Sequence, residues 1–293
     1  MAESGNIQVC IYCGYKGAWQ KARELPAFLF GRSFTVLRCP RCGIGRTWPV
    51  PKLEKTYYSE NEDYGVLFKQ KQDLYIRFAQ KLLSALVDRM DIVGKRLLDI
   101  GCGGGFVVES AGKMGFIAEG IETNRGMVAW CQERGLNVRE ADVVQMEGLV
   151  ADKYDVIVLS AVLEHLENPV FLLEQIKAGL LKADGLVLIS QASYDGMLPV
   201  LFPWGWYGWQ PQEHFWHFTP VSFRRLADKA GFEVVHLTRS TLYHPWVLKG
   251  SVREIAGRNL AAIIGRMGVL LGHGDNFRAV LQPRQASLTG SYI

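Results

Sequence analysis

The sequence predicts an α/β fold: a largely parallel sheet with helices on both faces, preceded by a small cysteine-rich module. From Lys95 onwards, short apolar runs alternate with segments of helical periodicity, the pattern of a parallel sheet. A glycine-rich turn follows the first apolar run, and two pairs of cysteines precede it. The chain has 293 residues, of which 48% are hydrophobic, and this suffices for one large domain and a small module.

Two cysteine pairs define the N-terminal module, predicted over residues 1–48. Cys10–Gly14 and Cys39–Gly43 each read C-x-x-C-G, and 25 residues separate the pairs. The two-residue gap lets both thiolates of a pair face one ion, and the glycine permits the turn that directs backbone N–H groups at the sulfurs. The spacing therefore predicts a zinc ribbon with a structural zinc site whose ligands are Cys10, Cys13, Cys39 and Cys42. A redox dithiol is disfavoured because both pairs match the metal pattern.

The positive charge of the chain is concentrated near its N-terminus. The formal net charge is +4, but residues 1–55 hold nine Lys or Arg against three Glu. Such a module could bind an anion such as nucleic acid, a nucleotide-sugar or a lipid phosphate. Alternatively, its basic residues could form an ordinary solvated surface. The sequence shows no basic and apolar leader and no apolar run of bilayer length, so a cytoplasmic protein is expected.

Residues 49–90 are predicted to be a linker followed by a helix. Two prolines open the linker, and an aromatic and acidic stretch follows at 57–64. We expect this stretch to be a capping loop, with contact to substrate as the alternative. Apolar residues recur at helical spacing from Leu74 to Leu86, which predicts a helix over 73–90.

The alternation from Lys95 predicts five strands and the helices between them. The strands are expected at 96–100, 116–121, 137–140, 154–159 and 185–190, and the helices at 106–114, 125–134 and 169–181. The run at 154–159 is continuously apolar, which is typical of a strand buried on both faces. In the cysteine-rich module, strands are expected at 7–9 and 34–38.

The glycine-rich turn and two downstream carboxylates indicate a nucleotide-like cofactor. Residues 99–105 read D-x-G-x-G-x-G at the end of the first predicted strand. Glycine lets the backbone adopt positive φ and approach a ligand closely, and the helix N-terminus behind the turn offers free N–H groups. Glu122 lies 21 residues after Gly101, where a carboxylate can accept both ribose hydroxyls. Asp142 follows the third strand, where it could accept from an adenine amino group.

The turn at 99–105, Glu122, Asp142 and the segment 154–166 together resemble class I S-adenosylmethionine-dependent methyltransferases. The resemblance implies a Rossmann-like, seven-stranded methyltransferase sheet whose last strand runs antiparallel. Residues 232–238, after a helix at 220–230, fit a late strand of such a sheet.

The resemblance also implies S-adenosylmethionine as the cofactor and a set of residues that contact it. The domain is then expected at 91–248, with an aromatic insertion at 195–218. The implied cofactor residues are Asp99, Gly101, Cys102, Gly103, Glu122, Thr123, Asp142, Val143 and Ser160.

The order of a four-cysteine ribbon, a Tyr-Tyr linker and this domain resembles bacterial enzymes that methylate sugars in surface glycans or natural products. It also resembles zinc-containing sugar C-methyltransferases, which carry an additional large C-terminal domain. Because the chain ends before such a domain, O-methylation is expected rather than C-methylation. The implied acceptor is a sugar, a glycan or a related small molecule.

Methyl transfer to a hydroxyl is helped by a general base, and histidine titrates in the required range. His165 follows the fourth strand, at the carboxyl end of the sheet where ligands bind. The stretch 202–218 is rich in Trp, Phe and His, and aromatic faces would suit a sugar ring. Its candidate bases are Glu213, His214 and His217. An aromatic subcore is the alternative for this stretch, and a metal site is disfavoured because no third ligand is apparent.

Residues 249–293 are predicted to be a helix and a tail. Apolar residues from Val252 to Leu270 fall on one helical face, which favours packing against this or a second subunit. A membrane-surface helix that contacts a lipid-linked acceptor is the alternative. Two other functions stay open: an RNA methyltransferase whose basic ribbon holds RNA, and a non-catalytic cofactor-binding interaction module.

Overall fold

The computed structural model describes residues 9–52, 58, 65–142, 153–202, 206, 208–241 and 252–284, with the backbone alone at 67 and 252–259. The strands are β1 (Gln20–Leu25), β2 (Phe34–Arg38), β3 (Gly45–Trp48), β4 (Arg96–Ile100), β5 (Ile117–Glu122), β6 (Val138–Glu140), β7 (Tyr154–Ser160), β8 (Leu181–Ala192), β9 (Trp216–His217), β10 (Phe232–Ser240) and β11 (Asn276–Pro283). The α-helices are α1 (Ala27–Phe30), α2 (Val66–Gln70), α3 (Gln72–Val87), α4 (Phe106–Met114), α5 (Arg125–Glu133), α6 (Pro169–Gln175), α7 (Met197–Leu201), α8 (Pro220–Lys229) and α9 (Val252–Leu270).

Seven strands form the central sheet, in the order β10-β11-β8-β7-β4-β5-β6. The pairings from β8 to β6 are all parallel. β11 runs antiparallel to both of its neighbours, β8 and β10. This arrangement confirms the predicted Rossmann-like sheet of seven strands with an antiparallel last strand.

The interior strands are apolar on both faces because helices cover both sides of the sheet. Leu97, Val156 and Val158 belong to a buried cluster that includes residues of α3 and α4. Their chain neighbours Leu98 and Ile157 belong to a second cluster, which includes residues of α6 and α8. Successive side chains of a strand point to opposite faces, so a strand between two helical layers needs apolar residues at every position.

The seventh strand lies in the segment for which the sequence predicts a helix and a tail. β11 is inserted between β8 and β10, and Phe277 and Ala279 are fully buried in one cluster while Val280 is buried in the other. The central sheet therefore extends beyond the predicted boundary at 248. The sequence does not predict this strand because Asn276, Arg278 and Gln282 interrupt its apolar residues, so there is no continuous apolar run as at 154–159.

The cysteine-rich module is joined to the central domain through a shared sheet. Its strands have the order β1-β2-β3-β9, and β9 belongs to the aromatic stretch that follows β8. Gly45 pairs with His217 and Arg46 with Trp216. Ile44 lies in the same buried cluster as the core of the central sheet, so the module and the domain share one hydrophobic core.

Two predicted elements differ in detail. The helix predicted at 169–181 divides into α6 and a π-helical turn, Ile176–Leu180, and β8 begins directly afterwards. Of the strand predicted at 7–9, two residues lie outside the described residues and Val9 is not in a strand. Among the helices that the structure describes, none is long and apolar enough to cross a membrane.

Candidate functional site

Three glycines shape the loop between β4 and α4, and all have positive φ. The φ angle is 67° at Gly101, 52° at Gly103 and 70° at Gly105, a region that residues with a Cβ rarely adopt. The backbone N–H groups of Gly101 and Cys102 both donate to the Ile121 carbonyl, at 2.9 and 3.0 Å. The loop therefore folds over the carboxyl ends of β4 and β5, with the N-terminus of α4 behind it.

Glu122, the last residue of β5, holds this loop with its carboxylate. Its Oε2 accepts a hydrogen bond from the Gly103 backbone N–H at 2.8 Å. Its Oε1 accepts from the backbone N–H groups of Thr123 and Asn124, each at 2.8 Å. The residue is 3% exposed, and burial of a carboxylate is costly unless donors such as these compensate for the lost water. A ribose at this position would have to share oxygens that already accept three backbone N–H groups.

Asp99 and Cys102 flank the first turn of the loop, and both are buried. Burial and the nearby Glu122 carboxylate raise the pKa of Asp99 well above its usual value. The Cys102 side chain packs with Val108 and Cys131 beneath the loop. A hydrogen bond with the Cys131 thiol, together with burial, raises the pKa of Cys102. Cys102 is thus placed to meet a ligand with its backbone rather than with its thiol.

The other predicted cofactor residues lie where neighbouring strands end. Thr123 follows β5 and Ser160 ends β7, and both are half-buried, whereas Asp142 follows β6 and is exposed. Val143 lies outside the described residues. Because the carboxyl ends of parallel strands meet at one edge of a sheet, the fold brings the described members of this set to the same edge. Their contacts with a cofactor stay a prediction.

His165 lies at this edge, on a 3-10 turn (Leu163–His165) that follows β7. Ala161 has a φ angle of 54°, and this left-handed residue turns the chain sharply where the strand ends. The Tyr58 hydroxyl lies 2.8 Å from His165 Nδ1. The Asn124 side-chain amide donates to the Tyr58 carbonyl at 2.7 Å, so Tyr58 links His165 to the start of α5.

His214 packs against His165 from the aromatic stretch. The two ring centroids are 4.6 Å apart, and the Phe215 N–H donates to the Glu164 carbonyl at 2.8 Å, which joins the stretch to the 3-10 turn. His214 Nδ1 lies 3.0 Å from the Gly208 carbonyl. A carbonyl only accepts, so Nδ1 carries the proton and Nε2 keeps its lone pair.

Both imidazoles are held in the neutral form. Burial lowers the pKa of His214 to about 4. Burial and the neighbouring His214 lower the pKa of His165 well below its usual value. At neutral pH each ring is therefore a potential proton acceptor.

Two carboxylates accompany the histidines. Glu213 Oε2 lies 4.0 Å from His165 Nδ1. Glu164 is 2% exposed, its Oε2 has no hydrogen-bond partner within the described part of the chain, and burial raises its pKa to about 7. The ligand atoms of Glu164, His165 and His214 all lie within 4.8 Å of one another, which is close enough to hold a divalent cation.

Tyr58 and Glu164 are site residues that the sequence does not predict. Tyr58 lies in the stretch 57–64, for which contact to substrate is the alternative, but nothing in the sequence pairs its hydroxyl with His165, 107 residues later. Glu164 directly precedes His165, and adjacent residues usually face different directions. The signal that could have found it is the Glu-His pair placed directly after a buried strand, because a tight turn there can direct both side chains to one cluster.

His217, a predicted base, is buried on β9 next to β3 of the four-stranded sheet. Its Nε2 lies 2.9 Å from Thr47 Oγ1, and the Thr47 hydroxyl donates to the His214 carbonyl at 2.7 Å. Since that hydroxyl has a single proton, His217 Nε2 must be the donor towards Thr47. The structure therefore brings His165, Glu213 and His214 together, whereas the His217 side chain contacts Thr47 on β3.

The aromatic stretch corrects a second expectation. Trp206, Trp209, Trp216 and Phe218 are all buried, and Trp206 and Trp209 pack beneath α7 and α9. These rings form a subcore and are not free to stack on a sugar. Trp204 and Tyr207 lie outside the described residues.

The four cysteines of the N-terminal module converge. The Sγ atoms of Cys10 and Cys42 are 3.6 Å apart, those of Cys13 and Cys39 are 3.7 Å apart, and all four lie within 4.8 Å of one another. Zn–S bonds of about 2.3 Å in a tetrahedron place sulfurs about 3.8 Å apart, so the four thiols fit a zinc ion. In both knuckles the glycine N–H donates to the carbonyl of the first cysteine, at 2.8 and 2.9 Å.

Comparison with known proteins identifies relatives of this chain. A family model described as a methyltransferase domain matches residues 75–237. A ubiquinone biosynthesis O-methyltransferase of Histophilus somni is 28% identical over 149 residues, which cover 47% of this chain and 59% of that protein. The chain thus spans about half the length of the curated relatives that it matches.

Solved structures share the fold. An S-adenosylmethionine-dependent methyltransferase from Archaeoglobus fulgidus has a TM-score of 0.53 and 18% identity, with 74% of this chain and 99% of that chain covered. The magnesium protoporphyrin IX methyltransferase of Synechocystis, with bound S-adenosylhomocysteine, has a TM-score of 0.51 and 15% identity, with 75% and 88% covered. At these identities the likeness shows the fold.

The burial of His217 predicts a pH-dependent stability. Burial and His214 lower its pKa well below 6.5, so the unfolded chain binds the proton first as the pH falls. The free energy of unfolding therefore does not depend on His217 above about pH 6.5, where the side chain is neutral in both states, and it decreases as the pH falls below that value. His217→Asn should reduce the slope of unfolding free energy against pH by up to about 1.4 kcal/mol per pH unit. Urea denaturation at several pH values measures this slope.

The matched control is His273→Asn, because the His273 side chain is exposed. That variant should keep the wild-type slope. An unchanged slope in His217→Asn would show that His217 does not carry the acid sensitivity.

Proposed function

The chain belongs to the methyltransferase-domain family, and from this membership we propose that it transfers the methyl group of S-adenosylmethionine to a hydroxyl of a small-molecule acceptor. The observation that carries the proposal is the meeting of the glycine loop, Glu122 and a neutral His165 at one edge of the sheet. The curated relatives are named O-methyltransferases, which favours oxygen as the acceptor atom.

The proposed cofactor seat uses the strand ends at this edge. Gly101 and Gly103 let the cofactor approach the backbone closely. Glu122 accepts hydrogen bonds from the ribose hydroxyls. Asp142 accepts a hydrogen bond from the adenine amino group, and Ser160 lies near the methionine part of the cofactor. When bound, S-adenosylmethionine supplies a methyl group on a sulfonium that is open to in-line displacement.

His165 is proposed to accept the proton of the acceptor hydroxyl. Its low pKa keeps the imidazole neutral at pH 7, as a base requires. Tyr58 positions the ring through Nδ1, which leaves Nε2 for the proton. Glu213, 4.0 Å from Nδ1, would stabilise the imidazolium that forms.

The proposed acceptor is a small molecule, and a sugar or glycan is one class within it. The burial of Trp209, Trp216 and Phe218 removes the stacking surface that favoured a sugar.

A transfer screen with methyl-labelled cofactor should therefore include nucleotide-sugars, lipid-linked glycans, phenols and RNA. Label in a small molecule is expected. Label in RNA alone would overturn the acceptor class, and cofactor binding without any product would favour a non-catalytic binding module.

Glu122→Ala tests the cofactor seat. The variant loses a carboxylate that accepts charge-assisted hydrogen bonds. S-adenosylmethionine binding, measured by calorimetry, should therefore weaken by about 1.5–3 kcal/mol. Glu140→Ala is the matched control, because it removes an exposed carboxylate at the end of the neighbouring strand β6. Equal affinities for the two variants would reject the ribose assignment.

His165→Asn tests the base. Because a positioned general base contributes about 10²–10⁴-fold, kcat should fall by that factor with the acceptor found in the screen, while cofactor affinity stays unchanged. Tyr58→Phe should cause a smaller loss, because the ring keeps its place and loses only the hydroxyl contact. His273→Asn is the control. A His165→Asn enzyme with wild-type kcat would exclude this base.

We also propose that the four cysteines hold a structural zinc ion. Four thiolates fill the coordination sphere, so no position remains for a substrate. The ion would stabilise the knuckles next to β3, and Thr47 on β3 donates to the His214 carbonyl. The zinc module would thereby position His214 against His165.

Cys39→Ser tests this arrangement. One ligand is lost, so zinc measured by atomic spectrometry should fall below one per chain and unfolding should occur at lower temperature. Methyl transfer should decrease more than cofactor binding, because the cofactor seat is on the central sheet. Wild-type protein stripped of metal and reloaded with zinc is the control. Stoichiometric zinc in the variant would contradict the four-cysteine site.

A further inference from the structure

The helices α7 and α9 each carry exposed apolar side chains. Their exposed fractions range from 48% at Met267 to 86% at Leu270. Leu198 of α7 and Ala261 of α9 share one buried cluster, so the two helices are packed together. We call this the α7–α9 surface, and its members are Val200, Leu201, Leu260, Ile263, Met267 and Leu270.

The helix α9 is apolar beyond the side that it buries. Its inner side faces α7: a Cβ on Gly268 would lie 3.1 Å from the Met197 Cβ. At 100° per residue, the members of the α7–α9 surface that lie on α9 occupy an arc of about 80°, next to the side that faces α7. A helix on a water-soluble surface normally carries polar residues there.

The helix α1 of the cysteine-rich module extends the surface. Phe30 packs on the same cluster as Leu198 and Ala261. Beside it, Phe28 is 77% exposed and Leu29 is 47% exposed. Helices that are distant in sequence thus meet at one buried cluster, and each of them carries exposed apolar residues.

Among the described side chains of this area, the exposed unpaired charges have one sign; of the bordering acids, Asp195 is paired with Arg239 and Asp275 is buried. The stretches 26–33, 196–202 and 260–274 contain no Asp or Glu. They contain Arg32 and Arg266, and both are exposed. A second copy of the chain packed on this area would bring arginines together with no carboxylate to pair with them. An anionic bilayer supplies an apolar layer and negative headgroups at once.

We propose that the α7–α9 surface, extended by α1, docks on an anionic lipid bilayer. α7 follows β8, whose Ser190 pairs with Ser160 at the end of β7, so the surface lies towards the carboxyl edge that carries His165. Docking would hold that edge close to the membrane. An acceptor with an apolar anchor could then reach it from the bilayer; this consequence rests on the proposed function, whereas the docking does not.

Vesicle sedimentation tests the docking. The probes are phosphatidylcholine vesicles with and without phosphatidylglycerol. Wild-type protein should sediment with the anionic vesicles and be released by salt. The double variant Ile263→Glu, Met267→Glu should bind about tenfold or more weakly, since two acids replace apolar contacts at an anionic surface. Val221→Glu is the matched control, because Val221 is 63% exposed on α8, outside the surface.

The outcomes separate the occupants. Failure of wild-type protein to bind anionic vesicles, or equal weakening by Val221→Glu and the double variant, would overturn the inference. If light scattering showed that the wild-type protein is a dimer and the double variant a monomer, the surface would instead be assigned to contact with a second copy of the chain. All substituted residues are exposed, so wild-type unfolding temperatures should confirm that the variants fold. Because no methyl transfer is measured, these results are independent of the proposed chemistry.

Discussion

The geometry of the cofactor edge depends on one buried carboxylate. Glu122 accepts three backbone N–H groups, one from the glycine loop and two from the start of the next connection. Each such charge-assisted bond contributes about 1.5–3 kcal/mol, and an unpaired carboxylate at the same place would be strongly unfavourable. The residue that would bind the ribose therefore also shapes the loop that would bind the rest of the cofactor. Structure and binding are coupled at this position.

The cysteine-rich module contributes position rather than chemistry. Strand β3 pairs antiparallel with β9, and Thr47 contacts both His214 and His217. The aromatic stretch in turn is hydrogen-bonded to the 3-10 turn that carries His165. A metal site distant from the proposed reaction would thus control the packing of two histidines. The module is thus packed against the aromatic stretch that carries His214 and shares its core with the central sheet.

Burial tunes the titratable groups of this site in opposite directions. It lowers the pKa of His165 and His214 and raises that of Glu164 to about 7. In each case the neutral form is favoured because water is excluded from the charged form. Side chains held in their neutral form at the ligand-binding edge of a parallel sheet are suited to accept or donate a proton. Tyr58, which reaches in from the linker, links this group to the cofactor side.

The sequence by itself determined the elements whose signals are local. Continuous apolar runs marked β4 and β7, glycines marked the positive-φ loop, and the C-x-x-C-G spacing marked the cysteines that converge. Only the tertiary structure decided which distant residues meet. It inserted β11 between β8 and β10, brought Tyr58 and Glu164 to His165, and buried His217 together with Trp206, Trp209 and Trp216. The physical reason is that periodicity and spacing record a residue's local backbone, whereas its partners are set by packing between segments far apart in the chain.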